Sequence, residues 1–423
     1  MIRSRRGFLR SLPGAAVLPA SWVSFTRTLE AAPGIPDATN EAYWRMVQRQ
    51  FPLEDGLIFL HAANVCPASR PVLDRYVEFL RDFEANPSFQ NREKYEPLQE
   101  QLRTKLAAVL GASADEIAIT RNTSEGNNVV VKGIDLKAGD EVLITDHNHP
   151  SNEASWKMRA KREGVVVRSV PVTVPAPGRE QLLDGIVRAV TPRTKVIAVT
   201  HVTNTTGILY PVKELADFAR SRGIWMHLDG AQTFGALDVN VRAIGCDSYA
   251  ASAHKWAMGP LEAGVLYVRS ERIPELWPSI VTAGWSDRLV GARKFEVLGQ
   301  RDNPRVVAFD AAADFLQLLG MKNVEARMRL LANALKQKLR EMPRVQLLTN
   351  LEPQLSGGVV KFRIRDADTR RAYDALWSRH RISGAMTPAT TASNQEGIRL
   401  CPHIYNSIEQ IDRTAAAVQE LAG

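Results

Sequence analysis

Three side chains in this 423-residue sequence invite a chemical reading: Lys255, Asp229 and Asn204. Lys255 stands in Ser252-Ala253-His254-Lys255-Trp256. Alone, such a lysine reads as a solvated surface residue. Its surroundings argue otherwise. Ile224-Trp225-Met226-His227-Leu228-Asp229 has the character of a buried strand and ends on a carboxylate. Lys195-Val196-Ile197-Ala198-Val199-Thr200-His201 is a second apolar strand and runs into Thr203-Asn204-Thr205-Thr206-Gly207. Amine, carboxylate and amide thus fall at or beyond the ends of successive strands in an alternating strand–helix chain. Open α/β sheets gather their ligands at such carboxyl ends. An amine placed there can form a Schiff base with an aldehyde. A carboxylate placed there can hold positive charge on a ring nitrogen.

An amine and a carboxylate with those two tasks suit pyridoxal phosphate (PLP), whose protonated ring accepts electrons. Three stretches carry a specific likeness: His201-Val202-Thr203-Asn204-Thr205-Thr206-Gly207, Asp229-Gly230-Ala231-Gln232 and Ser252-Ala253-His254-Lys255. Together they resemble the class V aminotransferases, above all the isopenicillin N epimerase-like and cysteine desulfurase-like branches. The likeness runs from about residue 58 to the C-terminus. It implies the fold-type I PLP-dependent transferase fold and a homodimer whose sites are completed across an interface.

The resemblance also implies roles. Lys255 forms the Schiff base and later moves protons at Cα. Asp229 faces the pyridine nitrogen. Thr123 and Ser124, in Thr123-Ser124-Glu125-Gly126 at a predicted helix start, cradle the phosphate, where free N–H groups and the helix dipole favour an anion. Ser252 and His254 reach the same phosphate. His149 stacks on the ring, while Asn204 and Gln232 approach its phenolic oxygen. Arg399, in Gly397-Ile398-Arg399-Leu400, grips the substrate α-carboxylate with a bidentate fork, and Asn64 joins it on the substrate side. Plainer readings exist for several of these: Thr123 or Ser124 as a helix N-cap, His149 as a solvated loop histidine, Asn204 as a turn former, Asp229 as an N-cap, Arg399 as a surface ion pair. Trp256 reads as packing. One position departs from the family: where Gly-Thr often meets the partner subunit's phosphate, this chain has Gly299-Gln300, so Gln300 is the remaining donor there.

The elements that must position these residues follow from hydrophobic periodicity. Glu41 to Gln50 has helical spacing with Trp44 and Val47 on one face. Leu57-Ile58-Phe59-Leu60 reads as a strand, with His61-Ala62-Ala63-Asn64 as the loop behind it. Helices are expected over 71–83 and 95–110, the second stopped by Gly111. From residue 116 onward strands and helices alternate, which predicts an α/β domain with a mostly parallel, seven-stranded sheet between helices. After Asn303 come two long helices, short strands at 345–348, 358–362 and 398–400, and helices at 369–378 and 407–421, which predicts a smaller C-terminal α/β domain. The expected division is 58–303 for the large PLP-binding domain and 304–423 for the small one, with 33–57 as linker and N-terminal helix.

Residues 1–32 read as a twin-arginine export signal. Ser4-Arg5-Arg6-Gly7-Phe8-Leu9-Arg10 precedes a mildly apolar stretch, Leu12 to Phe25, and Ala31-Ala32 offers small residues for cleavage. Export of a folded, cofactor-loaded enzyme to the periplasm or exterior by the twin-arginine translocase is the expectation. Five arginines and one glutamate in that segment carry half of the formal net charge of +8. The remainder shows no basic stripe interleaved with aromatics, so nucleic-acid binding is not expected. No stretch approaches the roughly 20 apolar residues of a membrane span, so no stable anchor is expected. Three scattered cysteines give neither a disulfide framework nor a metal site.

PLP chemistry at Cα of an amino acid has several outcomes: transamination, epimerisation, or elimination by a carbon–sulfur lyase. A persulfide-forming desulfurase needs a thiol on a mobile loop near the substrate. The corresponding stretch, Arg381 to Thr390, has no cysteine; Cys401 is poorly placed to swing, and Cys66, which could approach from the N-terminal loop, reads as buried packing. The expectation is therefore an enzyme acting at Cα, with cysteine desulfurase-type sulfur transfer, a non-catalytic binding protein on the same fold, or a different α/β enzyme without PLP as the alternatives.

Overall fold

The computed structural model describes residues 37–387 and 396–423. The export-signal reading and the end of the 381–390 stretch therefore lie outside the described residues. The first ordered contact comes from Glu41–Gln48, a helix capped by Asn40 with Tyr43, Trp44 and Val47 buried. Its apolar face is the one that the spacing predicts.

Strand β1 (Ile58–Phe59) is followed, within the large domain, by β2 (Ile117–Thr120), β3 (Glu141–Thr145), β4 (Val166–Val170), β5 (Thr194–Thr200), β6 (Trp225–Asp229), β7 (Ser248–Ser252) and β8 (Gly264–Val268). The last seven form one sheet in the order β2-β8-β7-β6-β5-β3-β4. Only β8 runs against its neighbours β2 and β7; the other pairs are parallel. The crossover helices, such as Thr123–Gly133, Pro150–Glu163 and Val212–Ser221, cover both faces. Double cover explains why β5, β6 and β7 are buried almost throughout. It also means that a polar residue inside such a strand needs a protein partner, because water cannot reach it.

The small domain carries β9 (Val345–Leu347), β10 (Val360–Ile364), β11 (Ile382–Ser383), β12 (Ala385–Thr387) and β13 (Gly397–Leu400). Four of them form an antiparallel sheet, β12-β13-β10-β9. The stretch from Arg381 that reads as a loop in the sequence thus contains two short strands. Period-2 patterning cannot reveal strands of two and three residues.

β1 does not join the large sheet. It pairs in parallel with β11, and Ile58 and Leu60 belong to the small domain's hydrophobic core. The chain then passes along the small domain, where Ala62 N–H donates to Cys401 O, and crosses to the large one, where Cys66 N–H donates to His254 O. Residues 58–66 therefore strap the two domains together beside Lys255. Among the described residues no helix is long and apolar enough to cross a membrane.

Candidate functional site

The carboxyl ends of β5, β6 and β7 set the site. Asp229 is the last residue of β6, and Ser252, the last of β7, leads directly to His254 and Lys255. Register pairs Thr200 with Asp229 and Asp229 with Ala250, so β5 and β6 end level and β7 runs two residues farther, to Ser252. Gly230 follows Asp229 because nothing larger fits: a Cβ there would lie 2.0 Å from the Tyr249 ring.

Lys255 makes no side-chain hydrogen bond or ion pair with the described residues. Burial lowers its pKa below the usual lysine range; the Asp229 carboxylate raises it, the Arg399 guanidinium lowers it, and Cys66 raises it slightly. His149 is lowered chiefly by burial, and it also feels Lys255, Asp229 and Arg399. Amine, carboxylate, imidazole and guanidinium thus share one electrostatic field, although they come from four separate stretches of chain.

Both oxygens of Asp229 are engaged on the protein side. Asn127 Nδ2 donates to Oδ2 at 2.9 Å and the Ala231 N–H donates to Oδ1 at 3.1 Å. Asn127 escapes a reading of the sequence. It lies on the helix Thr123–Gly133, one turn after Thr123, and reaches Asp229 because Gly126 lets that helix lie against β7. A Cβ on Gly126 would stand 2.8 Å from Ala250 Cβ. A glycine inside a helix that is otherwise continuous is the one available signal.

The same helix begins at the predicted phosphate cradle. Asn122, not Thr123 or Ser124, is the N-cap; its side chain accepts from Glu125 N–H at 2.9 Å. The hydroxyls at 123 and 124 are thereby released from capping. The Thr123 and Ser252 hydroxyls lie 2.7 Å apart, and Ser252 Oγ also accepts Thr123 N–H at 2.8 Å. Two predicted phosphate residues from strand ends more than a hundred positions apart are in contact. His254 is beside them, its pKa pushed down to about 4 by burial and then by Lys255, and its buried Nδ1 has no partner among the described residues.

The remaining predicted residues divide. His149 caps the helix Pro150–Glu163, with Ser151 Oγ 2.7 Å from its Nδ1. Gln232 is held at both ends: it donates to Ala63 O at 3.0 Å and accepts from Trp256 Nε1 at 2.8 Å. Trp256, fully buried, therefore does more than pack. Arg399, 7% exposed, donates to the backbone oxygen of Asn204 at 2.6 Å, and its Nε is buried without a partner among the described residues. Asn204 so contributes its backbone carbonyl. Asn64 is exposed and takes part in a backbone turn with His61. His61, which the sequence offers only as a loop residue, also feels Arg399; burial and that charge lower its pKa, and its Nδ1 is buried and unpartnered among the described residues. Gln300 accepts from Arg92 Nη1 at 3.1 Å.

All three cysteines are buried, and burial raises each thiol's pKa. Cys66 lies 3.4 Å from the Tyr405 hydroxyl. Among the described residues no three His, Cys, Asp or Glu side chains are grouped to hold a metal ion.

Comparison with known proteins agrees with this fold. The family model described as aminotransferase class-V matches residues 58–414. An isopenicillin N epimerase of Amycolatopsis lactamdurans is 30% identical over 399 residues, covering 90% of this chain and 98% of that protein. A probable cysteine desulfurase of Methanothermobacter thermautotrophicus is 29% identical over 404 residues, covering 89% of this chain and 98% of its own. Among solved structures, a C-DES variant with glycine covalently linked to its PLP cofactor superposes with a TM-score of 0.81 at 24% identity, covering 88% of this chain and 99% of that one.

Proposed function

The chain belongs to the class V aminotransferase family, and from that premise we propose that it is a PLP-dependent enzyme acting at the α-carbon of an amino acid. One observation carries the reading. Asp229 from the large domain and Arg399 from the small one both act on a single point, the buried Lys255 amine. The residues fit the cofactor. Thr123, Ser124, Ser252 and His254 would hold its phosphate, Asp229 its ring nitrogen, His149 its face, and Asn204 with Gln232 its phenolic side. Arg399 Nε, buried without a partner among the described residues, is a donor of the kind that an anionic ligand satisfies, and His254 Nδ1 joins it in the tautomer that protonates that nitrogen.

When bound, PLP supplies the electron sink for the bond broken at Cα. The chain supplies the rest. Arg399, steadied by the Asn204 carbonyl, fixes the substrate carboxylate and so the orientation of Cα. Lys255, with its pKa lowered, is an amine that holds the cofactor and then takes or returns the Cα proton. Three buried thiols with raised pKa weigh against sulfur transfer through a protein persulfide, since the thiolate is the nucleophile. Transamination, epimerisation and carbon–sulfur cleavage without a protein thiol are the outcomes in play.

The test uses purified protein loaded with PLP. Borohydride should fix the cofactor to the peptide containing Lys255, read by mass spectrometry. An amino-acid panel, scored separately for keto acid, inverted stereocentre and released sulfide, assigns the reaction. Protein that takes up no PLP sinks the proposal.

Two further parts of the proposal concern assembly and address. A homodimer is supported by exposed apolar side chains, Leu261, Trp277, Ile280, Val281 and Val290, of which Ile280 lines a groove with Ser124 and Ser279. Sedimentation should give a dimer, and Trp277→Glu should shift it toward monomer. Export rests on Arg5-Arg6-Gly7-Phe8-Leu9. Residues 1–32 fused to a reporter should send it to the periplasm, and Arg5→Lys with Arg6→Lys should stop it.

A further inference from the structure

Behind Asp229 lies a row of buried polar groups to which the reading so far gives no task. Asn127 Oδ1 is 3.0 Å from His227 Nε2, His227 Nδ1 is 2.8 Å from Ser248 Oγ, and Trp225 Nε1 donates to Ser248 Oγ at 2.9 Å. With the Asn127–Asp229 bond of 2.9 Å this makes one continuous chain from Trp225 to the carboxylate. Asn127, His227 and Ser248 are each 0% exposed, and Asp229 is 1% exposed.

The two ends fix the direction of every bond between them. An indole N–H only donates, and a carboxylate only accepts. Asn127 must therefore turn its amide nitrogen to Asp229 and its oxygen to His227. His227 must then carry its proton on Nε2, and its bare Nδ1 accepts the Ser248 O–H. Ser248 in turn accepts from Trp225. Burial agrees, because it pushes the His227 pKa down to about 4, which leaves a neutral ring with a single proton. Reversing the chain would put a hydrogen on Asp229 and leave the Ser248 hydroxyl, already accepting from two N–H groups, to find another acceptor.

We propose that Asn127 and His227 are positioning residues of the cofactor site, forming with Ser248 a one-way hydrogen-bond relay that holds Asp229 as an acceptor aimed at the cofactor's ring nitrogen. The inference rests on the PLP reading above. The relay locks the rotation of the Asp229 carboxylate, since Oδ2 is tied to the helix Thr123–Gly133 and Oδ1 to the Ala231 N–H. It also joins ring to phosphate, because the helix that carries Asn127 begins at Thr123 and Ser124. Phosphate and ring nitrogen would thus be held from one rigid element, the kind of support that keeps a reacting group within a fraction of an ångström of its working place.

Two measurements test it. The first needs no cofactor: ¹⁵N spectra of histidine-labelled protein, with His227 assigned by loss of its signals in His227→Gln. A protonated Nε2 and a bare Nδ1 are expected, and Ser248→Ala, which removes only the hydroxyl, should move the Nδ1 resonance. The opposite tautomer, or an Nδ1 unmoved by Ser248→Ala, overturns the relay. The second is the PLP dissociation constant together with the pH titration of the bound cofactor's absorbance. Asn127→Ala should weaken binding by about 10-fold or more, and Asn127→Asp, which sets a second carboxylate against Asp229, should weaken it further. Both should shift the spectral titration. His227→Gln, whose amide keeps a donor toward Asn127, should recover most of the affinity. Wild-type affinity and an unshifted titration in Asn127→Ala overturn the proposal while PLP binding by the wild type stands. Failure of the wild type itself to bind PLP is seen in the same measurement and overturns both.

Discussion

The two sides of the site are built on opposite plans. Around Asp229, hydrogen bonding is complete within the protein: both carboxylate oxygens, Asn127, His227 and Ser248 all have partners. Around Arg399, it is incomplete. Arg399 Nε and His61 Nδ1 are buried and lack partners among the described residues. A buried polar group without a partner costs roughly 1–3 kcal/mol. The complete side is a finished socket that asks little rearrangement of its occupant. The incomplete side regains its cost only when a ligand with acceptor oxygens arrives, which suits a substrate that comes and goes. The secondary structure agrees: Asp229 belongs to a doubly covered parallel sheet, whereas Arg399 lies on a small antiparallel sheet that meets the site at one face.

The most severe way to break this arrangement is to remove the group where both sides meet. Lys255→Ala should lower turnover by about 10²–10⁴-fold or more, the usual weight of a general acid–base, while PLP still binds by the contacts of the socket. Steady-state rates with equilibrium dialysis check it; near-normal turnover would refute the role given to Lys255. The next change separates the sides. Arg399→Lys keeps the charge and loses the fork, so KM should rise by about 10–100-fold with the PLP affinity unchanged. Should PLP affinity fall instead, Arg399 belongs to the socket and the contrast fails.

How much of this was legible in the sequence follows the same division. The strands that end at Asp229 and just before His201 are buried on both faces, so they read as apolar runs, and their positions agree with the structure to within a residue or two. Lys255, Asp229, Thr123 and Ser252 sit at strand or helix ends, where local pattern announces them. Asn127 and His61 do not. The first depends on a helix lying close to β7 through Gly126, and the second on β1 leaving the large sheet to pair with β11. Both are tertiary facts over long sequence separations, which no periodicity records. The short strands β11 and β12 were hidden for a different reason: two or three residues are too few to show a period.

Acid should act on the fold through its buried histidines. Burial holds His201, His227 and His403 to a pKa of about 4, against about 6.5 when unfolded. Between those values the unfolded chain binds more protons, so stability is full above pH 6.5 and falls as pH drops toward 4. Each such histidine contributes a slope of about 1.4 kcal/mol per pH unit at most. Asp314, raised by burial to about 6, works in the opposite sense between about pH 4 and 6 and offsets part of the loss. Urea midpoints at pH 7.5, 6.5 and 5.5 should therefore decline; a flat series would show that these rings are not held neutral.

The smallest expected effect bears most directly on why one side is rigid. Gly126→Ala adds a single methyl, 2.8 Å from Ala250 Cβ in the middle of the sheet. Alanine has the better helix propensity by about 1 kcal/mol, so on local grounds the variant should be more stable. Overpacking of a core contact costs about 1–3 kcal/mol, and neither the helix nor β7 has free space there. The tertiary term should win, leaving the protein less stable by about 1 kcal/mol and PLP bound a few-fold more weakly, because the methyl pushes Asn127 away from Asp229. Arg399 lies on the other domain, so KM for the amino acid should not move. A variant that melts later than the wild type, with unchanged PLP affinity, would mean that the helix can shift without loss and that the socket is less fixed than its hydrogen bonds suggest.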